Sequence, residues 1–350
     1  QMSKLLTISI AAYNVEKTIE ECLDSFLPCR HLKDLEILVI NDGSHDRTAE
    51  IVAGYEKKYP KSIHLVNKEN GGHGSTLNKS LELASGKFYK AVDGDDWVDA
   101  SELDRLCDCL EKTEADLVVD RYKEVYPDHT QVVDLGKGYA LGKEYSFDEL
   151  FAEKKCRETI FVMHSSTIQT ERLHAVGMKV QEHCFYADNE LDFYIVLAAE
   201  TVLFTDTCAY QYRLGSAGQS VSPEGIFNHI EDLIKITRNL TNLLHKYRGQ
   251  HKNQAKDACL FAVVNACYAS TLCHYTKTIQ RPEKDQLLVE FLRDLKKKYP
   301  ALINQMHLSR IDRYVAGNPA KRVPAIRKAR KTWWFNALRQ LKHLVASGNR

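Results

Sequence analysis

The fold is decided by the stretch KAVDGDDW, from Lys90 to Trp97, in which three carboxylates follow a short apolar run. The run begins at Phe88 and predicts a buried parallel strand, so the acids lie at its carboxyl end. Crowded carboxylates repel one another unless a cation lies between them, and hard oxygen ligands suit Mg²⁺ or Mn²⁺. An acidic turn followed by a helix cap would give the same pattern, so the preceding sequence has to decide.

The composition is that of a globular chain. Its 350 residues are 44% hydrophobic and 27% charged, enough for one large domain and an appendage. Neither a run of about 18 apolar residues nor an apolar signal segment in residues 1–7 is present, so we expect a cytoplasmic protein. Its ten cysteines include no Cys-x-x-Cys pair, which favours reduced thiols over a zinc or redox site.

Positive charge is concentrated at the C-terminal end. Residues 321–350 contain nine Lys or Arg and no acid, although the net charge of the whole chain is only +1. This basic tail also carries Trp333, Trp334 and Phe335, so it could lie on the anionic inner face of a membrane or pack as a solvated helix. Nucleic acid is a poorer expectation, because the rest of the chain is acidic.

Strands and helices alternate in the first 100 residues. Apolar, β-branched runs at 5–12, 35–40, 63–66 and 88–92 predict four strands, with helical spacing between them. This alternation predicts an α/β fold, a Rossmann-like and mostly parallel sheet with helices on both faces.

A polar or glycine-rich loop follows each predicted strand, and the carboxyl ends of parallel strands meet at one edge. An aromatic ring at Tyr13 can stack on a base, a carboxylate at Asp42 can accept a base N–H, and the glycines of 71–74 let backbone amides approach phosphate. The Gly-x-Gly-x-x-Gly and Gly-x-x-x-x-Gly-Lys-Ser/Thr loops are absent, which argues against dinucleotide enzymes and P-loop proteins.

In order and spacing, these segments resemble the signature of family 2 glycosyltransferases of the GT-A fold. The matching segments are Ile8–Asn14, Glu36–Ser44, Asn70–Gly72 with Asn78, Ser85–Lys87 and Val92–Trp97. The resemblance covers about the first 215 residues. It implies a metal-dependent, inverting enzyme that uses a nucleotide sugar, most often a UDP-sugar.

The resemblance also implies roles for individual residues. Tyr13 and Asp42 would hold the uracil, and Asp93 and Asp95 would serve the ribose, the diphosphate and a Mn²⁺ or Mg²⁺ ion. The residues expected at the nucleotide sugar are Ala11, Tyr13, Asn14, Asp42, Gly72, His73, Asn78, Asp93, Gly94 and Arg213.

The general base is expected at the start of a helix that runs from 184 to about 199. Family members carry a Glu-Asp pair there, and this chain has Ala187-Asp188, so the resemblance implies that Asp188 is the base. A carboxylate is required because an acceptor hydroxyl is a poor nucleophile until its proton is removed. Glu190 and Asp192 are alternative bases, and a helix cap is an alternative role for Asp188.

Some positions depart from the family pattern: Ala12 replaces a usual Pro, Leu77 replaces a frequent Arg, and Ala187 replaces the Glu. A catalytically inactive UDP-binding partner subunit is therefore an alternative function. A sugar nucleotidyltransferase is a further alternative, but it usually has a glycine-rich loop and a basic residue after the first strand, and residues 11–14 offer neither.

From Pro223 onward the spacing becomes helical, with helices expected over 226–247, 255–276 and 283–297. The sequence therefore predicts a GT-A domain at 1–220 and a helical domain with the basic tail at 221–350. Without a Gln-x-x-Arg-Trp motif or membrane helices, a single addition per encounter is favoured over processive synthesis. We expect transfer of a hexose, preferably from UDP-glucose or UDP-galactose, to a glycan, glycolipid or glycoprotein. The pathway would be surface polysaccharide assembly or O-glycosylation of a protein such as an adhesin.

Overall fold

The computed structural model describes residues 4–152, 161–215, 219–250, 253–277, 284–306, 310–318, 320–322 and 324–325. Its N-terminal part alternates strands and helices in the predicted order. The elements are β1 (Leu6–Ala12), α1 (Ile19–Phe26), β2 (Leu35–Asp42), α2 (Thr48–Lys58), β3 (Ile63–Lys68), α3 (His73–Leu83), β4 (Phe88–Asp93), β5 (Trp97–Val98) and α4 (Ala100–Leu110).

The middle of the chain adds shorter strands and the helix that carries Asp188. The elements are β6 (Leu117–Val119), β7 (Tyr122–Val125), β8 (Thr130–Val133), β9 (Glu144–Ser146), α5 (Phe147–Ala152), β10 (Ser166–Gln169), α6 (Thr170–Ala175), α7 (Asp188–Ala198), β11 (Thr201–Phe204) and β12 (Tyr210–Arg213). A short 3-10 helix, Met163–Ser165, precedes β10.

Among the described residues, eight strands form the main sheet in the order β3-β2-β1-β4-β10-β6-β11-β9. The first four are parallel to one another, and β6 and β11 form a further parallel pair. Strands β10 and β9 run antiparallel to their neighbours. A smaller sheet, β5-β12-β7-β8, lies beside the site described below. The predicted mostly parallel α/β sheet is therefore confirmed.

Side chains on the two faces of the main sheet belong to two apolar cores. On β1, Leu6, Ile8 and Ile10 are fully buried and pack in the cluster that includes residues of α1, α2 and α4. On β4, Tyr89 and Ala91 face the other cluster, which includes residues of α3 and α7. Alternate residues of a strand point to opposite faces, so burial on both faces explains why these strands are rich in apolar residues, with the buried polar side chains of Thr7, Ser9 and Lys90 as exceptions.

Helices follow the sheet. They are α8 (Pro223–Asn228), α9 (Ile230–Tyr247), α10 (Gln254–Lys277), α11 (Asp285–Lys298), α12 (Pro300–Gln305) and α13 (Arg310–Gly317). The buried residues of α9 recur every three or four positions, as on an amphipathic helix. They share one continuous core with α7 and α10. The division of the chain at residue 220 stays a prediction.

Two helix boundaries differ from the sequence-based expectation. The helix expected from 184 begins at Asp188, because His183 (φ 54°) and Tyr186 (φ 65°) adopt left-handed backbone conformations that an α-helix does not accommodate. The helix expected over 226–247 is divided at His229 into α8 and α9.

Most of the basic tail, including Trp333, Trp334 and Phe335, lies outside the described residues. Within the described part of the chain, no helix combines the length and the apolar character that a membrane span needs.

Candidate active site

The loops after β1, β2 and β4 lie together at one edge of the main sheet. The Gly94 amide donates to the Ala11 carbonyl over 2.9 Å, which joins the ends of β4 and β1. The Asn14 amide donates to Oγ of Ser44 over 3.0 Å, which joins the loops after β1 and β2. A Cβ atom on Gly94 would lie 2.8 Å from the Ala11 carbonyl oxygen, so this close approach requires glycine.

Asp42, at the end of β2, binds the glycine loop with its carboxylate. The carboxylate accepts hydrogen bonds from the amides of Gly71 (2.9 Å) and Gly72 (2.8 Å) and from Nζ of Lys68 (2.7 Å). The sequence pattern predicts that the amides meet phosphate and that the carboxylate meets a base, whereas in the structure they bind each other. The contacts of Asp42 and Gly72 with a nucleotide stay predictions, and a base would have to compete with these protein donors.

Asn78 likewise holds a protein segment. Its side-chain nitrogen donates to the carbonyl of Val180 (3.0 Å) and to a carboxylate oxygen of Glu182 (2.9 Å), and its oxygen accepts the Val180 amide (3.0 Å). The predicted contact of Asn78 with the nucleotide sugar is not tested by this geometry. What the structure shows is that Asn78 positions the segment leading to Asp188.

A group of metal-ligating side chains lies at the end of β4. One ligand atom each from Asp93, Asp96 and His164 lie within 4.8 Å of one another. The predicted metal residues were Asp93 and Asp95, and the half-buried Asp95 does not belong to this group. The structure therefore adds Asp96 and His164 as candidates, and the role of Asp95 stays a prediction.

The acids of this cluster perturb one another. Burial and the Asp93 carboxylate raise the pKa of Asp95 to about 6. Burial, Asp93 and Asp95 raise the pKa of Asp96 well above its usual range. Burial acts in the same direction on Asp93, but the neighbouring His73 outweighs it and keeps the pKa of Asp93 below its usual value. A divalent cation would relieve this mutual repulsion.

His164 was missed by the sequence analysis, because it stands in no recognisable metal motif. Its ring is stacked with Tyr122 (centroids 5.3 Å apart) and Tyr212 (4.4 Å). Burial lowers the pKa of His164 to about 4, although Asp93 opposes the effect. The imidazole is therefore neutral, the form that coordinates metal ions. Together with the carboxylate oxygens it makes a donor set that fits a divalent cation.

His73, the first residue of α3, lies against the same acids. Its Nε2 atom is 3.1 Å from Oδ1 of Asp93. Burial lowers the pKa of His73, but the carboxylates of Asp93, Asp188 and Asp95 outweigh burial and raise the pKa to about 8. His73 is therefore mainly cationic at neutral pH and lies within electrostatic reach of both the cluster and α7.

Asp188 is the first residue of α7 and is half-buried. Burial raises the pKa of its carboxyl group; His73 opposes the shift and Asp93 adds to it. The resulting carboxylate is a stronger proton acceptor than an exposed aspartate. The N-cap residue of α7 is Ala187, which has no polar side chain, and the Asp188 carboxylate interacts with backbone amides of the first turn, so the capping role stays an alternative.

The two alternative bases are less accessible than Asp188. Glu190 is fully buried and accepts hydrogen bonds from the backbone and side chain of Gln181 and from the side chain of Asn239. Glu190 therefore joins α7 to α9 and cannot meet a substrate. Asp192 is 7% exposed, and one of its buried oxygens has no hydrogen-bond partner among the described residues.

Tyr13 and Arg213 lie at the margins of the site. Tyr13 is 48% exposed, as a residue that stacks on a base would have to be. Arg213 donates to the Asp95 carbonyl (2.8 Å) and to Glu21 (2.6 Å), and its guanidinium lies 4.5 Å from the centre of the Trp97 ring. Arg213 thus braces the acidic loop, and its contact with phosphate stays a prediction.

Comparison with known proteins finds similarity to glycosyltransferases in both sequence and fold. Residues 7–166 match the family described as Glycosyl transferase family 2. The uncharacterized glycosyltransferase EpsJ of Bacillus subtilis (strain 168) is 32% identical over 217 residues, which are 61% of this chain and 62% of EpsJ. A poly(ribitol-phosphate) beta-glucosyltransferase of Bacillus spizizenii is 31% identical over 122 residues, 34% of this chain and 19% of that protein.

Among solved structures, TarS 1-349 of S. aureus in complex with UDP-GlcNAc has the same fold. Its TM-score is 0.67 at 19% identity, over 95% of this chain and 92% of that chain. The fold is that of GT-A proteins, and one edge of its sheet carries acidic and histidine side chains of the kind that ligate metal ions. Residues 7–166, a little under half of the chain, are thus similar to the family 2 glycosyltransferases, and the chain spans about three fifths of the length of EpsJ.

Proposed function

We propose that this chain is a metal-dependent, inverting glycosyltransferase that moves a hexose from a UDP-sugar to a hydroxyl group of a glycan acceptor. The observation that carries the proposal is that His73, whose Nε2 atom is 3.1 Å from Oδ1 of Asp93, also interacts electrostatically with Asp188, so that the proposed base lies near the acids at the end of β4. A base opposite a cation-binding cluster is the arrangement that an inverting displacement needs.

The donor would bind across the edge of the sheet. Tyr13 would stack on the uracil, and the cationic His73 would lie near the diphosphate. Asp93 and Asp95 would hold Mn²⁺ or Mg²⁺, together with Asp96 and the neutral His164. When bound, such a cation offsets the charge of the departing diphosphate. Arg213 would keep the acidic loop in place through its bonds to the Asp95 carbonyl and Glu21.

Asp188 would act on the acceptor side. Its carboxylate accepts the proton of the acceptor hydroxyl as the oxygen forms a bond to the anomeric carbon. The bond from that carbon to the diphosphate oxygen breaks on the opposite side, and UDP leaves with the electron pair. One displacement of this kind inverts the anomeric configuration.

The relatives support a polymeric or oligomeric glycan acceptor. One is named for glucosyl transfer to poly(ribitol-phosphate), and TarS was solved with a UDP-sugar. We retain UDP-glucose or UDP-galactose as the favoured donors and surface polysaccharide or glycoprotein assembly as the process. The cytoplasmic location and the membrane contact of the basic tail stay predictions.

UDP release from a panel of UDP-sugars, measured with Mn²⁺, with Mg²⁺ and with a chelator, tests the proposal. We expect one donor to be consumed only with metal, and Asp95→Ala to remove that activity. Binding of UDP without consumption of any donor, even with mixed glycan acceptors present, would instead favour the inactive UDP-binding subunit.

A further inference from the structure

An exposed aromatic side chain lies close to the proposed base. Phe185, three residues before Asp188, is 43% exposed, and its ring is stacked with the His229 ring at a centroid distance of 3.5 Å and an angle of 25°. Single exposed apolar residues are common on protein surfaces. The segment that contains Phe185, however, has an uncommon backbone conformation and is held by hydrogen bonds to other parts of the protein.

The backbone of the segment from 181 to 187 is strained at two residues. His183 (φ 54°) and Tyr186 (φ 65°) flank Phe185 in the left-handed region, which is unfavourable for residues other than glycine. Such conformations persist where the surroundings over-determine them, and they concentrate at functional sites. A segment that only connects two elements does not need two strained residues beside an exposed ring, so this conformation points to a function of Phe185.

Three hydrogen bonds to other parts of the protein hold this segment in its conformation. The His183 amide donates to the Gly71 carbonyl, which fixes the segment to the glycine loop. The Tyr186 hydroxyl donates to the Ser220 carbonyl over 3.0 Å. Nζ of Lys235, on α9, donates to the Glu182 carbonyl over 3.3 Å. The Phe185 ring is thus presented by a rigid support rather than by a loose loop.

The ring of Phe185 contacts the helical region that follows the sheet, on the side where α7 begins with Asp188. Tyr13 and Asp42, at the ends of β1 and β2, are the residues expected at the uracil. Phe185 instead rests on His229, at the junction of α8 and α9. Its neighbour Tyr186 lies at the start of α7, because the Tyr186 carbonyl accepts hydrogen bonds from the backbone amide (3.2 Å) and the side chain (3.1 Å) of Asn189, the residue after the proposed base.

We propose that Phe185, backed by His229, is an aromatic platform for a pyranose ring of the glycan acceptor. The C–H groups on one face of a pyranose are apolar and weakly positive, and they complement the negative face of an aromatic ring. The platform holds the acceptor sugar beside Asp188. This inference rests on the proposed glycosyl transfer and adds a binding site to it.

The test uses the full chain with UDP and Mn²⁺, and the methyl pyranosides of glucose, galactose and N-acetylglucosamine as probes. In Phe185→Trp the indole replaces the platform and reports on it, so we expect a saturable change in fluorescence with at least one pyranoside. The absence of a saturable change with every probe, up to their solubility limits, overturns the proposal.

Steady-state kinetics of Phe185 variants provide a second test. Phe185→Leu keeps an apolar side chain but removes the ring, and we expect it to raise the acceptor KM about two- to tenfold, with Phe185→Trp near the wild-type value. Hydrolysis of the UDP-sugar without acceptor should be unchanged. Leu141→Ala, which alters another exposed side chain, should change neither quantity.

The two proposals fail differently. If wild-type protein binds and hydrolyses a UDP-sugar but Phe185→Leu leaves the acceptor KM unchanged, only the platform is wrong. If Phe185→Leu weakens UDP binding or donor hydrolysis instead, the ring serves the donor and the acceptor role is overturned. If the wild type consumes no donor at all, the proposed function fails first.

Discussion

The Nζ atom of Lys90 lies 3.0 Å from the carbonyl oxygen of His164, so a buried lysine on β4 fixes the backbone of the histidine that meets Asp93. Lys90 is 1% exposed, and its Nζ is also 3.3 Å from Oδ1 of Asp120. A polar pair inside the sheet thereby connects strand packing to the geometry of the cation cluster.

Replacement of Lys90 by Met should lower the free energy of unfolding. It leaves Asp120 buried without its cation, and breaking such a pair typically costs about 3–5 kcal/mol. Urea unfolding measures the loss. Lys87→Met, which removes a partly exposed lysine from an ion pair with Glu114, is the matched control and should cost about 1 kcal/mol or less.

The cost of Lys90→Met should also depend on pH. Burial raises the pKa of Asp120 to about 6 even though Lys90 opposes the shift, so loss of Lys90 raises that pKa further. An acid with a raised pKa in the folded state contributes stability at low pH that is lost as the pH rises through the folded pKa. The difference between variant and wild type should therefore grow above pH 6. A difference that is constant from pH 5 to pH 8 would contradict this assignment.

His73→Gln should weaken UDP binding. The substitution removes the cationic side chain proposed to lie near the diphosphate, and hydrogen bonds to charged groups are worth about 1.5–3 kcal/mol, or roughly ten- to hundredfold in affinity. Calorimetric titration with UDP and Mn²⁺ measures it. Lys79→Gln, on the same helix and paired with Glu82 at the surface, is the control. Equal affinities of the His73 and Lys79 variants would exclude His73 from the donor site.

Gly74→Ala should destabilise the segment that leads to Asp188. A Cβ atom on Gly74 would lie 1.9 Å from the Gln181 carbonyl oxygen, so the backbone of one element has to move, at a cost of about 1–3 kcal/mol. Gly54→Ala provides the control. Nothing lies within 4 Å of a Cβ atom there, and in the interior of α2 alanine should stabilise by about 0.5–1 kcal/mol. Shifts of the same sign for both variants in thermal unfolding would contradict the packing argument.

The sequence predicted the framework of the site because its signals are local. Apolar runs define β1 to β4, and parallel topology then brings Asn14, Asp42 and Asp93 to one edge. The sequence predicted that α7 starts at 184, whereas it starts at Asp188. The left-handed conformations of His183 and Tyr186 that delay the start depend on partners distant in sequence.

Other features of the site had no local signal. His164 reaches Asp93 only because β10 joins the sheet antiparallel to β4. The engagement of Asp42 by Gly71 and Gly72 likewise arises from the packing of one loop on another. Spacing in the sequence identifies which residues can carry chemistry, whereas tertiary packing decides which partners their polar atoms take.

The most direct test of the account compares Asp188→Asn with the wild type in two measurements on the same protein. We expect sugar transfer to the acceptor to slow by about 10²–10⁴-fold, the usual contribution of a general base. The affinity for UDP with Mn²⁺ should stay unchanged, and Asp206→Asn, at an exposed ion pair, should retain full activity. Transfer at the wild-type rate by Asp188→Asn, or loss of UDP binding together with transfer, would contradict the assignment of Asp188 as the base.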